Sequence, residues 1–599
     1  MKTIYTYMET LCVVIGLGWT AVAHAQEEVS KDKDLNREMT LEREYDPSVQ
    51  DASKVNTLPV VKEPEVRKVP IDYSDYVIPI EPDKEISLLP SGDILTDMGY
   101  NPRRGYLNFG IGTYTNIDGD LGYHILSTEK DKLNIWYTHR SSNGKVEYLQ
   151  LEGEKVKAKT NDNWGGIDFK HVFDQMVFNI GVRYGYSAFN YYGLPMSESS
   201  TSDLLDVLEQ ADRDTKQVNQ TIAATMGFQS KEDAYVGYRV NLGYINFSRK
   251  YGLGEAADGP TEHTFRADFD VNTRFNGDMR IGLEGQVEYF NYSLPEGNQS
   301  ASGTYYTYDF EDHAEVTLSP YYKAGGESWH LRLGANVMIL TGDDSEFMAS
   351  PNVIAEVEVA DRTSFYLNAV GKLYSNSMYE TSLVNRYVDP TSRLAPSRNW
   401  LDAVLGIKSG VAPGFWFDIF GGYRITSDDV LFLPSTDFED GHFGNFSEAM
   451  EDIDTKQFFI GANLKYSYQP WADVSLKGVY NHWTASYGDD WIGVANEDLA
   501  HAWGKPEVEI TASLTIRPVE NLSLLVDYYL ATGRYTQLYG EGEEKLDNIN
   551  ELNVTGTYTF NDTFGLYAKL NNVLFQDYEL YYGYPVQGFH AMIGLNINF

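Results

Sequence analysis

The stretch Phe589–Phe599, FHAMIGLNINF, alternates strictly. Phe589, Ala591, Ile593, Leu595, Ile597 and Phe599 are apolar, while His590, Met592, Gly594, Asn596 and Asn598 between them are mostly polar or small. A β-strand sends successive side chains to opposite faces, so this segment has one greasy face and one wet face. The same alternation recurs upstream, roughly every twenty residues, as far back as Gly105. Segments so marked include Gly105–Tyr114, Leu133–Arg140, Trp164–Phe173, Thr264–Phe275, Met279–Tyr292 and Glu507–Arg517. The pattern predicts an all-β chain: a transmembrane antiparallel β-barrel of about 22 strands, with roughly 18 to 24 compatible, facing lipid outside and polar filling inside.

Connection lengths give a second, independent signal. Asp361-Arg362, Pro413-Gly414, Glu520-Asn521 and Asn561-Asp562-Thr563 are short. Leu194–Asp214, Ser375–Arg398, Ser427–Asp454 and Ala485–Lys505 are long. Short turns face the periplasm and long loops face outward in such barrels. The predicted closure signal is the last strand, with Phe589, Ile593, Leu595, Ile597 and Phe599 on its lipid face.

Composition narrows the class further. Aromatic residues make up 14% of the chain, with 45 Tyr, an excess that suits the interfacial girdles of a barrel. Mean hydropathy is −0.39, which excludes a bundle of apolar helices. The net charge of −40 argues against a nucleic-acid partner, since phosphate contacts need Lys and Arg. The single cysteine, Cys12, excludes a disulfide framework and a thiolate metal site.

The N-terminal region differs in kind. Residues 1–25 read as a signal peptide, with Lys2, an apolar core Leu11–Ala21 and an Ala23-His24-Ala25 cleavage site. Residues 26–102, rich in charge and in prolines such as Pro59, Pro64 and Pro70, read as a largely extended or disordered periplasmic arm. The barrel then occupies 103–599, in the outer membrane of a Gram-negative bacterium.

Candidate lumen-facing residues are Arg266, Asp268, Asp270, Arg274, Glu284, Glu288, Glu356, Glu358, Glu507 and Glu509, which alternate with apolar neighbours. They fit a cation- or sugar-selective lumen, or a solvated wall of internal ion pairs. The acidic loop with Asp437, Glu439, Asp440, Glu448, Glu451, Asp452 and Asp454 lacks the ordered spacing of a calcium loop. The histidines are scattered, with no H-E-x-x-H, and there is no G-x-S-x-G. No catalytic residue, metal site or cofactor is expected.

Asn571-Asn572-Val573-Leu574-Phe575, Asp577-Tyr578, Tyr581-Tyr582-Gly583-Tyr584-Pro585, Gln587-Gly588 and the closing strand together resemble the C-terminal end of TonB-dependent receptors. The resemblance implies a 22-strand barrel. That family carries a plug domain before its barrel, whereas 26–102 is shorter and lacks a plug's Gly-rich, β-branched character. Arg43-Glu44-Tyr45-Asp46-Pro47-Ser48-Val49 and His139-Arg140-Ser141-Ser142-Asn143-Gly144 resemble a plug-less group of receptor-like barrels. The expected function is therefore a transport channel or receptor barrel lacking a standard plug. The alternative is a structural barrel subunit of an outer-membrane assembly or export complex. Expected partners are outer-membrane lipid, the barrel assembly machinery and other periplasmic or outer-membrane proteins.

Overall fold

The computed structural model describes residues 103–599 apart from 195–215, 232–233, 253–257, 277–278, 296–297, 300–304, 307, 309, 343–344, 393, 435–445, 451, 489–496 and 539–541. The expected signal peptide and periplasmic arm lie outside the described residues. The main sheet has 23 strands, one of which, Asp498–Leu499, pairs only with the outer end of Ala472–Tyr487. The other 22 form the barrel.

In chain order these are Gly105–Gly112, Ile117–Ser127, Asp131–Glu147, Lys155–Val172, Met176–Asn190, Lys216–Ser230, Val236–Arg249, Thr261–Asn276, Met279–Ser293, His313–Gly325 and Trp329–Thr341. They continue with Glu346–Ala360, Thr363–Tyr374, Ser397–Ala412, Phe415–Ser427, Ile453–Tyr468, Ala472–Tyr487, Val508–Val519, Leu522–Thr532, Ile549–Thr559, Phe564–Asn571 and His590–Asn598. Each pairs antiparallel with its neighbours in this order, and the first pairs with the last. The ring has no free edge, so every strand finds its backbone partners without water, as hydrocarbon requires.

The closure seam explains two glycines. Gly110 and Gly594 face each other across it, and Tyr567 from the neighbouring strand lies over both on the lumen side. A Cβ on Gly594 would stand 2.2 Å from the Tyr567 ring, and one on Gly110 would stand 2.3 Å from its hydroxyl. At the periplasmic end Gly105 and Phe599 exchange backbone hydrogen bonds of 2.7 and 2.9 Å, and Phe599 stacks on Tyr123.

Outward positions carry the apolar set. Ile111, Ile167, Phe265, Ile281, Leu405, Ile460 and Ile593 are exposed on the outward face of their strands. Phe173, Phe275, Trp329, Trp471, Phe560, Phe564 and Phe599 mark an aromatic rim at the end with the short turns. An apolar band with no protein over it is the lipid-facing surface of a transmembrane barrel.

Two segments run longer than alternation predicts. The observed strand Asp131–Glu147 extends the predicted Leu133–Arg140 at its outer end, and Lys155–Val172 begins nine residues before the predicted Trp164–Phe173. Beyond the hydrocarbon both faces of a strand are wet, so the hydrophobic period fades while backbone pairing continues. The stretch His139–Gly144 therefore lies within a strand. The chain also forms a helix, Met378–Val384, inside the connection Ser375–Arg398. Ser377 accepts a hydrogen bond from the Glu380 amide at its N-cap, and Ser-x-x-Glu is a capping-box sequence.

Candidate functional site

The barrel wall and its outer mouth hold the chemistry. Arg266 pairs with Glu288 at 3.3 Å and with Asp268 at 3.1 Å. Asp270 accepts from the Tyr321 hydroxyl at 2.9 Å and lies 4.0 Å from Arg239. Glu284 takes a two-pronged contact from Arg332, and Glu356 accepts from Lys408 at 2.7 Å. Glu509 accepts from the Tyr529 hydroxyl at 2.9 Å. Arg274 stands opposite Arg280 in register. Glu358 is exposed beside the Asp361-Arg362 turn and accepts from the Arg362 amide. Glu507 is exposed, one residue before its strand begins, and its carbonyl accepts from Asn481. The same arrangement continues round the ring with Arg140–Asp120, Lys569–Asp118 and Arg424–Asp402. Many wall carboxylates are thus held by cations or hydroxyls, which spreads their charge over a hydrogen-bonded lining.

The outer mouth is built from loops that sequence periodicity does not reveal. The connection after strand thirteen leaves Tyr374 and turns inward. Ser375 donates to Glu315 on strand ten at 2.9 Å, and Glu262 on strand eight accepts from the Tyr379 amide at 3.3 Å. Arg249 on strand seven reaches the Val388 carbonyl. Arg386 then grips Asp162 on strand four with contacts of 3.1 to 3.2 Å, and Ser187 holds the same carboxylate at 2.5 Å. In a ring of 22, strands four and thirteen are nine apart and lie nearly opposite. The stretch from Ser375 to Val388 therefore crosses the outer end of the lumen.

Aromatic rings lock it there. Tyr387 stacks on Tyr584 with centroids 4.4 Å apart and meets Tyr192 edge-on at 5.3 Å. Tyr192 meets Tyr584 at 5.1 Å and donates to the Pro585 carbonyl, while the Tyr148 hydroxyl donates to the Tyr192 carbonyl at 2.6 Å. Tyr581 donates to the Val384 carbonyl at 3.0 Å. The Leu194 amide donates to Gly583, whose φ of +76° and backbone contact with Leu194 both require glycine. Burial pushes the hydroxyls of Tyr148, Tyr192 and Tyr584 up, so they stay neutral.

A second anchor is polar. Arg534 is 2% exposed and donates to the carbonyls of Glu579 and Leu580 at 2.8 and 2.6 Å. Burial lowers its guanidinium's affinity for the proton. Glu579, equally buried, accepts from Gln150 and the Gly583 amide at 3.1 and 3.0 Å, and burial pushes its carboxyl up to about 7. Five outer loops thus hold one another across the mouth.

Two sequence signals point to this cap. One is the Ser377–Glu380 capping box. The other is a pair of Tyr-Tyr-Gly-x-Pro motifs, at 191–195 and 581–585, whose glycine regions meet. In the acidic loop, Asp437, Glu439, Asp440 and Glu451 lie outside the described residues. Among the described residues no group of three His, Cys, Asp or Glu side chains is placed to hold a metal.

No family model matches the chain, and no curated protein matches it. Solved structures do. The ferric-catecholate import receptor Fiu of E. coli K12 superposes with a TM-score of 0.59 at 9% identity, covering 84% of this chain and 82% of that one. The siderophore receptor PiuA of Acinetobacter baumannii gives 0.60 at 10%, covering 84% and 82%, and the copper transporter OprC gives 0.59 at 12%, covering 84% and 83%. Such identities show the fold: this chain has the 22-strand barrel of the receptor class that its C-terminal motif resembles. A closed barrel of this kind, with its bare apolar band, is an outer-membrane protein of a Gram-negative bacterium.

Proposed function

We propose that the barrel is a transport or receptor channel of the outer membrane whose outer mouth is closed by its own loops in place of a standard plug. The observation that carries this reading is the Arg386–Asp162 tether, which fixes an external loop across the lumen. A barrel of this width is too wide for its wall side chains to fill, and large barrels need an occluding element. The stretch from Ser375 to Val388 supplies one, and the Tyr192–Tyr387–Tyr584 stack holds it shut. Solute entering from outside displaces this segment and then meets the hydrogen-bonded wall of Arg266, Asp268, Asp270, Arg274, Glu284, Glu288, Glu356 and Glu509. The structural neighbours, which include a ferric-catecholate import receptor, a siderophore receptor and a copper transporter, support a role in capturing scarce solutes. We further propose that residues 1–25 direct export and that 26–102 serve as a periplasmic arm.

The test is replacement of 378–390 by a Gly/Ser linker of equal length, with single-channel conductance and liposome swelling measured. The expected result is a large rise in both. Unchanged conductance in a correctly folded barrel overturns the loop-closure reading. Deleting Gln26–Leu95 behind the signal peptide separates the contributions: a rise in conductance from that deletion alone assigns the closure to the arm instead.

A further inference from the structure

Strands fourteen to sixteen meet the lumen directly beneath the crossing stretch. Asn376 of that stretch donates to the Ser397 hydroxyl at 2.7 Å, and Ser397 opens strand fourteen. Exposed Leu405, Ile419, Phe458 and Ile460 mark the outward side of these strands, so Asp402, Arg424, Thr426 and Gln457 face inward. A bulge between Asn399 and Leu401 keeps Asn399 on the same inner side. Asp402 stands opposite Arg424, Arg424 opposite Gln457, and Asn399 opposite Thr426. The group therefore spans two strand spacings, about 10 Å.

These side chains are only half satisfied. Asn399 gives its amide N–H to the Thr426 hydroxyl at 3.1 Å, Gln457 gives its own to Asn481 at 3.0 Å, and one Asp402 oxygen takes Arg424 at 2.8 Å. Among the described residues, Asn399 Oδ1, Gln457 Oε1 and Asp402 Oδ1 are buried with no donor. The Asn399 and Gln457 residues are 1% and 3% exposed. Buried acceptors without donors cost free energy, so the group calls for a ligand that brings donors. Arg424 in their midst decides which kind. Its guanidinium repels a cation, and an anion would set acceptors against acceptors. A neutral ligand with several hydroxyls meets both demands, since a hydroxyl donates and accepts.

Below this polar rim lies an aromatic floor. Phe420 lies over Gly461, and Tyr366 on strand thirteen lies over Gly406; a Cβ on these glycines would stand 2.6 and 2.4 Å from the rings. The missing side chains let both rings lie against the wall, and both remain half-buried. Phe459 braces Phe420 edge-on at 6.3 Å, and the Tyr366 hydroxyl is fixed on Asp418 at 2.9 Å. Phe420 is four residues down strand fifteen from Arg424, about 13 Å along the strand, which is longer than a single sugar ring.

We propose that this side of the lumen binds a neutral oligosaccharide, with the C–H faces of its rings on Tyr366 and Phe420 and its hydroxyls donating to Asn399, Asp402 and Gln457. The inference rests on the channel reading above and names the class of solute. Apolar platforms beside a few fixed polar groups are the make-up of a small-molecule site. A solute without the hydroxyls leaves the buried acceptors unpaired, so the site selects against it. Because the crossing stretch lies above Asn399, the sugar reaches the site as the mouth opens.

The test uses the full chain in mild detergent, as wild type and as Arg386→Ala. Maltotriose, cellotriose and mannotriose are titrated by isothermal calorimetry, with the chitosan trimer and trigalacturonate as cationic and anionic counterparts. At least one neutral trisaccharide should bind saturably. Gln457→Met and Phe420→Ala should each weaken it at least tenfold, whereas Gln457→Glu, which keeps an acceptor oxygen, should retain more binding than Gln457→Met. Heat-modifiable gel mobility confirms that the variants are folded. No saturable binding of any of the three to either protein overturns the proposal. Undiminished binding in folded Gln457→Met and Phe420→Ala, or equal binding of the charged counterparts, also overturns it. Conductance of Arg386→Ala, recorded on the same preparation, tests the channel reading separately: a silent barrel that binds sugar refutes the channel and keeps the site, and a conducting barrel that binds none does the reverse.

Discussion

Replacing Arg386 by Ala removes a charged contact that ties the loop between strands thirteen and fourteen to the far wall. Arg386 approaches Asp162 through both guanidinium nitrogens at 3.1 to 3.2 Å, a two-pronged geometry that makes a strong charge-assisted contact. The pair is only half-buried, with 33% of the arginine and 21% of the aspartate side chain exposed. Solvent therefore screens part of the attraction, and a figure for a buried pair would be too large. A net loss of about 1–2 kcal/mol is reasonable for a well-formed pair in this intermediate setting. Asp162 keeps its hydrogen bond from Ser187, which limits the penalty for the stranded carboxylate. Since about 1.4 kcal/mol is a factor of ten, the open fraction of the mouth should rise about 5- to 30-fold. Single-channel recording in planar bilayers reads this as more frequent opening with unchanged full conductance, because the wall is untouched. Asp162→Asn should give a smaller change in the same direction, and the double variant should add little to Arg386→Ala. Fully additive effects, or opening indistinguishable from wild type in Arg386→Ala, would refute the reasoning.

Further expectations concern the seam, the lipid face and pH. Gly594→Val places a branched side chain where a Cβ alone would already lie 2.2 Å from Tyr567, so overpacking of about 1–3 kcal/mol should lower the temperature at which the folded gel band disappears. Ile593→Arg puts a charge on an outward position that is 60% exposed, at a cost on the order of 2–4 kcal/mol near mid-bilayer; wild-type amounts of folded protein in the outer membrane would contradict the register. Glu579 holds its proton up to about 7 because burial disfavours its charged form, so the folded cap binds more protons than the unlocked one. Cap stability is then full below about pH 4.3, the ordinary Glu value, and is lost as pH rises through 7. Protection from hydrogen exchange at 579–585, taken relative to each amide's intrinsic rate, should therefore fall between about pH 4.3 and 7, and Glu579→Gln should flatten that profile. Tyr387→Ala removes a stacked ring shared by three loops and should raise basal conductance, whereas Tyr387→Phe should leave it near wild type, since the contact is mainly ring area.

The transmembrane part of this protein was legible in the residues themselves. Ile593 and Leu595 sit outward and Gly594 and Asn596 inward because a pleated strand between lipid and a wet lumen allows no other assignment, and each one-residue slip would turn every side chain to the wrong medium. The count of 22 follows in the same way, from turns as short as Asp361-Arg362 set against long outer connections. Above the membrane that constraint disappears. Lys145 to Glu147 and Lys155 to Lys159 are strand, but water lies on their outer face, so no alternation of greasy and wet marks them. The loop closure was still less accessible to sequence reasoning. Arg386 meets Asp162, and Tyr387 meets both Tyr192 and Tyr584, across separations of about two hundred residues. Local propensity reports only on neighbours a few positions away, so it reveals the Ser377 cap and the tight glycine of Gly583. Which partners those elements find depends on barrel curvature, which carries strands four and thirteen to opposite sides of one lumen and leaves the loop above them to bridge the gap.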